Sequence, residues 1–436
     1  MASRDMNRAL GAEGDAARRG ALALLAGVLS ERQTIADQLA GPGMTALLPA
    51  DRARAQRLAL TTLRHLARAD TVLKPLLRKA PPEDILTLLR LATVEMLVEG
   101  APAHGVVNSA VALVRAGGRK TEAFAGMVNA VLRRVSETQA ESFAGLPPPP
   151  LAPWLRRRLI DAWGKPAVQA IEAVQVGQPP IDLTPKSGDG AALAAVLGGT
   201  LLPTGSVRLA SAGRLTELPG YAEGNWWVQD AAAAVAARAL HVAPGERVAD
   251  LCAAPGGKTL QLAASGAKVT AVDLSDQRLD RLRQNLTRCQ LQAEVVAADV
   301  LDWDGGPFDA VLLDAPCSAT GTIRRHPELP LIRDGGMLAG LAATQAALLD
   351  RAVALTRPGG RIVYCTCSLL PAEGESELTA VLERHPGLVV DAAALNLPGI
   401  APDWIGPEGG LRLRPDYWSD IGGMDGFFIA AMRKPD

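Results

Sequence analysis

The chain has few aromatic residues and few cysteines, and each shortage excludes a class of protein. Phe, Tyr and Trp make up 3% of the 436 residues. Recognition of a ligand by stacking bases on an aromatic sheet face is therefore not expected. The five cysteines include no Cys-X-X-Cys pair. Their spacing argues against a disulfide framework and a zinc ribbon, and it indicates a reducing, cytoplasmic location.

Long apolar runs and a large net charge are also missing. No apolar run reaches the roughly 18 to 20 residues that cross a bilayer, so we expect no membrane partner. The net charge is only −1, but it is +5 over residues 1–150, +1 over 151–240 and −7 over 241–436. The basic N-terminal segment is the first place to look for contact with a polyanion.

Length and periodicity predict several domains. A chain of 436 residues has room for two or three of them. Apolar residues recur at helical spacing through the first 140 residues, which predicts an all-helical domain. Four prolines at 147–150 predict an extended spacer, and a mixture of helical and strand-like segments follows. We expect an all-α domain over 1–145, a small α+β domain over 146–220 and a third domain over 221–436.

The third domain alternates short apolar runs with helical segments. The runs cover 248–251, 269–272, 294–297, 310–313 and 361–364. Strands that alternate with helices predict an α/β, doubly wound, mostly parallel sheet. A last apolar run over 426–432 is expected to form an edge strand.

The first strand-to-helix turn of this sheet has the composition of a cofactor-binding turn. Residues 250–259 read Asp-Leu-Cys-Ala-Ala-Pro-Gly-Gly-Lys-Thr, and adjacent glycines let a ligand approach the backbone. The spacing fits neither G-x-G-x-x-G nor Walker A, because Cys252 stands where the first Walker glycine should be. Asp273 ends the second strand, where a carboxylate can bind a ribose diol, and Asp299 ends the third. Ribose and adenine contacts without a phosphate loop predict S-adenosylmethionine.

Two thiols follow the fourth and fifth strands. Cys317 lies in Asp-Ala-Pro-Cys-Ser and Cys367 in Tyr-Cys-Thr-Cys-Ser, so both should point into one crevice. A thiolate that adds to carbon 6 of cytosine activates carbon 5, and a base must later remove the carbon 5 proton. Asp314 is placed to hold or protonate ring nitrogen 3, and Lys258 could orient Asp314 or lower a thiol pKa.

The other cysteines have simpler interpretations. We expect Cys289 and Cys365 to be small core residues. A four-cysteine metal site that includes Cys252 is an open alternative, although the paired ligand spacing of such sites is lacking.

These motifs resemble those of the RNA (cytosine-5)-methyltransferase family, whose mark is a cysteine in each of two motifs. The resemblance also takes in residues 225–230, 324–329 and 424–428, and it covers about 150–436. It implies a Rossmann-like domain in which Cys367 is the nucleophile and Cys317 is the base that resolves the adduct. It implies no metal, and a cofactor site made of Cys252, Ala253, Ala254, Pro255, Gly256, Gly257, Lys258, Asp273, Arg278, Asp299 and Asp314.

The helical segment has a resemblance of its own. Residues 102–111 and 125–134 resemble the RNA-binding NusB fold, and the domain order is similar to that of bacterial enzymes that methylate small-subunit (16S) rRNA. Ribosomal RNA is therefore the implied partner, with the target base pulled out of its stack. Candidate phosphate contacts are Arg324, Arg325 and His326, which follow the Cys317 loop, and residues 156–158.

Two alternatives are open at this point. The same chemistry could act on tRNA or on another rRNA position. A non-catalytic NusB-like RNA-binding regulator is the second alternative, and it would predict a broken cofactor turn or a missing thiol. Both thiols, the turn and Asp273 are intact, which favours an enzyme.

Overall fold

A computed structural model describes residues 2–211 and 213–436, with side chains from residue 15 onward. The chain forms two compact units. The first contains the residues up to Arg157 together with Val168–Gln178 and Arg325–Asp334. The second contains Arg158–Ala167, Pro179–Arg324 and Gly335–Asp436.

The first unit is helical, as its periodicity predicts. Its central helix buries most of its side chains, and the carboxylate of Glu95 on that helix is paired with Arg18 at 2.7 Å and Arg54 at 3.0 Å. A buried carboxylate is tolerated because it is paired in this way. The helices are α1 (Ala2–Leu29), α2 (Ile35–Ala40), α3 (Pro42–Thr45), α4 (Pro49–Arg64), α5 (Leu66–Leu73), α6 (Glu83–Leu97), α7 (Ala103–Ala116), α8 (Arg119–Glu122), α9 (Ala125–Val135) and α10 (Ala140–Ala144).

The proline run at 147–150 packs into the first unit and does not separate the two units. The Arg68 guanidinium donates to the carbonyls of Leu146 at 2.5 Å and Pro147 at 3.1 Å, and Leu151 is buried. The chain changes unit later, within α11 (Pro153–Gln175), which is broken at Gly164 with φ +78°. Glycine is suited to this break because it adopts positive φ without steric cost.

The second unit begins with the expected α+β segment. Its strands are β1 (Ile181–Pro185), β2 (Thr200–Leu201), β3 (Val207–Leu209) and β4 (Trp226–Val228), in the order β2-β3-β1-β4, and α12 (Gly190–Leu197) follows β1. This antiparallel sheet lies in the same compact unit as the larger sheet. The buried carboxylate of Asp182 accepts from Arg208 at 2.7 and 2.8 Å and from the amide of Ala231 at 3.1 Å, at the start of α13 (Ala231–Ala239).

The larger sheet is the predicted doubly wound sheet. Strands β5 (Arg247–Leu251), β6 (Lys268–Asp273), β7 (Glu294–Ala297), β8 (Phe308–Asp314) and β9 (Thr356–Thr366) are parallel, and the strand order is β10-β12-β9-β8-β5-β6-β7. The helices are α14 (Gly257–Ala264), α15 (Asp276–Cys289), α16 (Leu329–Ile332), α17 (Leu338–Leu355) and α18 (Glu375–Arg384), and the last strands are β10 (Val389–Val390), β11 (Leu411–Leu413) and β12 (Phe427–Arg433).

The last strand corrects the expectation of an edge strand. β12 pairs antiparallel with β9 on one side and with β10 and β11 on the other. Its residues from Phe427 to Met432 are all buried, and a strand that is apolar on both faces belongs inside a sheet.

Helix α17 is the one described helix that is long and apolar enough to cross a membrane by length and composition alone. Its sequence is interrupted by Gln345, Asp350 and Arg351. One face, including Leu348 and Leu349, packs into a core cluster of the larger sheet.

Candidate active site

The turn between β5 and α14 is shaped by one glycine and one carboxylate. Gly256 has φ +102°, and a Cβ there would overlap the side chain of Leu282, so other residues do not fit. The carboxylate of Asp273, at the end of β6, accepts from the amides of Ala254 and Ser275, both at 3.0 Å. The ends of two neighbouring strands therefore form a single concave backbone.

The remaining residues expected at the cofactor site divide into two groups. Arg278 lies at the turn, where its guanidinium donates to the carbonyl of Ala254 at 2.7 Å and lies 3.7 Å from Asp273. Asp299 is exposed, lies two residues beyond the end of β7, and accepts from the amide of Leu301 at 3.0 Å. Asp299 therefore stabilises the turn after its own strand.

Asp250 is a buried carboxyl group beneath this turn. Its Oδ2 accepts from the Thr259 hydroxyl at 2.6 Å, whereas Oδ1 has no partner among the described residues. Burial raises the pKa of Asp250 to about 7. An acid inside the apolar run 248–251 is the sequence signal that could have marked it. The free oxygen suits an ammonium group such as the amino group of a bound methionine moiety.

Lys258 and Asp314 form a buried ion pair, with Nζ 2.7 Å from Oδ2. Burial alone would lower the pKa of Lys258, but the charges of Asp314, Cys365 and Asp250 outweigh burial, and the net effect is a raised pKa. Lys258 is therefore a stable cation that orients Asp314. The Cys365 thiol lies 3.5 Å from the other Asp314 oxygen, and burial raises its pKa well above the usual value.

The two thiols predicted to share a crevice lie side by side. Cys317 Sγ is 3.4 Å from Cys367 Sγ, because β8 and β9 are paired in parallel and each thiol lies just beyond its strand. The hydrogen bond to Cys367, and then burial, raise the pKa of Cys317 well above the usual value. The proton of the pair is therefore held on Cys317, and the sulfur of Cys367 accepts.

The other cysteines have different surroundings. Cys289 is buried in an apolar cluster, and burial raises the pKa of Cys252 to about 12. All five cysteines are free. Within the part of the chain that the structure describes, no group of three or more His, Cys, Asp or Glu side chains is arranged to hold a metal ion.

Glu373 is a site residue that sequence reasoning missed. It is 1% exposed, and its carboxylate accepts from the Ser318 amide at 2.8 Å, the Ser318 hydroxyl and the Ser368 hydroxyl at 2.6 Å. Ser318 and Ser368 each follow one of the two thiols. The alternating acids Glu373, Glu375 and Glu377 shortly after the second thiol motif are the only sequence signal of it.

The candidate phosphate contacts need a correction. Arg324 is 1% exposed, and its guanidinium is bound to the carboxylates of Asp230 and Asp425. It is therefore a structural residue that cannot reach a phosphate. Arg325 and His326 are half-buried and belong to the first unit, where His326 lies 3.6 Å from Glu328.

Of the arginines at 156–158, Arg156 pairs with Glu172 at 2.7 Å, whereas Arg157 and Arg158 are exposed. The pairing leaves the two exposed arginines as the better placed of the three for a phosphate.

Comparison with known proteins places both units in characterised families. The family described as 16S rRNA methyltransferase RsmB/F matches residues 237–433, and the NusB family matches residues 15–137. A Pseudomonas putida protein named ribosomal RNA small subunit methyltransferase B is 36% identical, with 96% of this chain and 98% of that protein covered. Its namesake from Xanthomonas campestris is 38% identical, with 86% and 89% covered.

A solved structure shows the same similarity. A methyltransferase homologue from Pyrococcus horikoshii superimposes with a TM-score of 0.53 at 25% identity, covering 64% of this chain and 94% of that one. The match confirms the fold expected for the second unit.

Proposed function

Since the chain belongs to the family of 16S rRNA methyltransferases RsmB/F, we propose that it methylates carbon 5 of one cytosine in small-subunit rRNA through a covalent adduct with Cys367. S-adenosylmethionine-dependent methylation of rRNA follows from family membership. The position on the base, the adduct and the identity of the RNA are the proposal.

The distance of 3.4 Å between the thiols of Cys317 and Cys367 is the observation that carries the proposal. Transfer of a methyl group to a nitrogen or an oxygen needs no thiol. An aromatic carbon, in contrast, must first be activated by a nucleophile and later lose a proton to a base. Two thiols in contact, beside a turn suited to the methyl donor, supply both groups.

The first step uses Cys367. Its sulfur accepts the hydrogen bond from Cys317, so a thiolate is favoured on Cys367. The thiolate forms a bond to carbon 6, and the electrons of the ring double bond move toward carbon 5 and ring nitrogen 3. Asp314, held by the Lys258 ammonium at 2.7 Å, binds nitrogen 3 and draws on that ammonium as a proton source.

The last step uses Cys317. S-adenosylmethionine supplies an electrophilic methyl group when bound, and Gly256, Asp273 and Asp250 would hold it. Cys317, once its own proton has passed to water, takes the proton from carbon 5. The ring double bond re-forms, and the bond between Cys367 and carbon 6 breaks. A thiol of raised pKa is a strong base when ionised, which suits this role.

The RNA partner and the location follow from the same proposal. The matched NusB segment carries the basic excess of the chain, and we propose that it contributes phosphate contacts. Five free cysteines suit the cytoplasm, where thiols stay reduced.

The direct test is product identification. Small-subunit rRNA from a strain without the gene is incubated with purified enzyme and S-adenosylmethionine, and nucleosides are identified by mass spectrometry after bisulfite mapping. We expect one new 5-methylcytidine in small-subunit rRNA and none in a parallel tRNA reaction. A methyl group on any other atom, or on tRNA alone, would contradict the proposal.

A further inference from the structure

Glu373 joins the two thiol loops through a buried carboxylate. Its Oε1 accepts from the Ser318 amide at 2.8 Å and from Gln345 Nε2 at 3.2 Å, and its Oε2 accepts from the hydroxyls of Ser318 and Ser368. Both oxygens are thus occupied by donors, which is how a fully buried carboxylate is stabilised.

The same glutamate also holds the end of β9 through its backbone. Its carbonyl accepts from the hydroxyl of Tyr364 at 3.0 Å and from that of Thr366 at 2.8 Å. Thr366 immediately precedes Cys367. The two hydroxyls facing Oε2 are themselves 3.2 Å apart, so the residue following each thiol is bound at one point.

The position of a thiol is determined by its loop, and a shift of about 1 Å in a reacting group can lower a rate by about 100-fold. Cys317 and Cys367 must reach neighbouring atoms of one ring, carbon 5 and carbon 6. We propose that Glu373 is a positioning residue that fixes the distance between the two thiols and keeps a negative charge beside Cys317. This rests on the proposed function only for the identity of the ring.

The charge has a separate effect from the hydrogen bonds. Glu373 is among the groups that raise the pKa of Cys317, after the hydrogen bond to Cys367 and burial. The charge therefore favours the protonated form of Cys317 before reaction, and it strengthens Cys317 as a base afterwards.

Two substitutions separate these effects. In Glu373→Gln the serine hydroxyls can rotate to accept from the new amide, so the loops stay joined while the charge is lost. In Glu373→Ala both are lost. Glu377→Gln is the matched control, because Glu377 is a buried neighbour on α18 whose carboxyl makes no printed bond to either serine-thiol loop. Circular dichroism and S-adenosylmethionine binding establish that each variant is folded.

The first measurement needs no RNA. The rate of Cys317 alkylation by iodoacetamide is followed against pH, with the modified peptide quantified by mass spectrometry. Removal of the negative charge should move the midpoint to lower pH in Glu373→Gln and leave it in place in Glu377→Gln. A midpoint in Glu373→Gln equal to that of the wild type would overturn the role of the charge, whatever the enzyme methylates.

The second measurement uses the full reaction with small-subunit rRNA. We expect Glu373→Gln to lower kcat about tenfold, as for a loss of about one pKa unit in base strength, with KM unchanged. Glu373→Ala should lose about 100-fold through misplaced thiols. Wild-type kcat in both variants, from an enzyme that makes 5-methylcytidine, would refute the positioning role. A wild-type enzyme that makes no 5-methylcytidine would instead refute the proposed function.

Discussion

At the scale of single residues, the site consists of groups whose surroundings make their protonation differ from that in water. Asp250 is buried with one oxygen unpartnered among the described residues, and Cys317 shares a hydrogen bond with Cys367. Lys258 is kept charged by Asp314. Clusters of this kind are typical of catalytic sites, where proton affinities must match the chemistry.

The two thiols should fail at different steps when replaced. Cys367→Ala should form neither adduct nor product, because the ring is never activated. Cys317→Ala should add and methylate but be unable to eliminate, which leaves protein covalently joined to RNA. Denaturing gel electrophoresis with labelled RNA should show a shifted band for Cys317→Ala alone. A shifted band only in Cys367→Ala would exchange the two roles.

Asp250 should make stability fall as pH rises. Its carboxyl has a pKa near 3.8 when unperturbed and about 7 in the fold, so the folded chain holds the proton more tightly. The stabilisation is complete below about pH 4 and is lost as pH rises to about 7, by an amount on the order of a few kcal/mol. Asp250→Asn should show a flatter dependence of Tm on pH in this window, and parallel curves for the two proteins would contradict the assignment.

At the scale of elements, the site depends on how loops leave their strands. The cofactor turn requires positive φ at Gly256, and the loop after Cys317 is held by the buried Arg324. Neither residue is expected to contact the reacting atoms. Both fix the backbone that presents the groups that do.

The turn at Gly256 should not tolerate a side chain. Gly256→Ala combines an unfavourable backbone conformation with overlap against Leu282, at a cost of roughly 1–3 kcal/mol. Calorimetry should show S-adenosylmethionine binding to the wild type that survives EDTA, and weaker binding by a factor of ten or more to the variant. Equal affinities would mean that the turn is not where the cofactor binds.

Arg324 should matter for stability and not for RNA affinity. Arg324→Ala would leave the carboxylates of Asp230 and Asp425 buried without this counter-charge, which costs about 3–5 kcal/mol. We expect a large decrease in Tm, measured by thermal unfolding. A variant of normal Tm that binds rRNA with a flatter salt dependence would restore Arg324 as a phosphate contact.

At the scale of the whole molecule, charge and chemistry lie on different parts of the chain. Residues 1–150 carry +5 and residues 241–436 carry −7. A negative catalytic segment does not attract a polyanion by itself, so RNA affinity should depend on the basic segment.

The exposed arginines of α9 provide the test of this division. Because the first unit also contains Val168–Gln178 and Arg325–Asp334, substitution is preferable to deletion. The double variant Arg133→Gln, Arg134→Gln should reduce the slope of log affinity against log salt by about 1 to 2. Arg283→Gln is the control, since that charge already pairs with Asp276 and Asp280. Identical slopes for both variants would exclude α9 as an RNA surface.

The sequence by itself determined whatever depends on local pattern. Helical periodicity predicted the first unit, and the alternation of strand and helix predicted β5 to β9 within a few residues. The placement of Cys317 and Cys367 at one sheet edge followed as well, since carboxyl ends of parallel strands meet there. These predictions hold because propensity and hydrophobic spacing act over a few neighbouring residues.

The tertiary structure decided whatever depends on residues distant along the chain. β12 lies inside the sheet because its two apolar faces need cover, and the proline run packs against Arg68 instead of separating the two units. Arg324 is buried because two carboxylates, 94 and 101 residues away, converge on it. Glu373 joins two loops 50 residues apart through its carboxylate. No local pattern encodes these pairings, because each forms only when packing brings its partners into one dry, low-dielectric place.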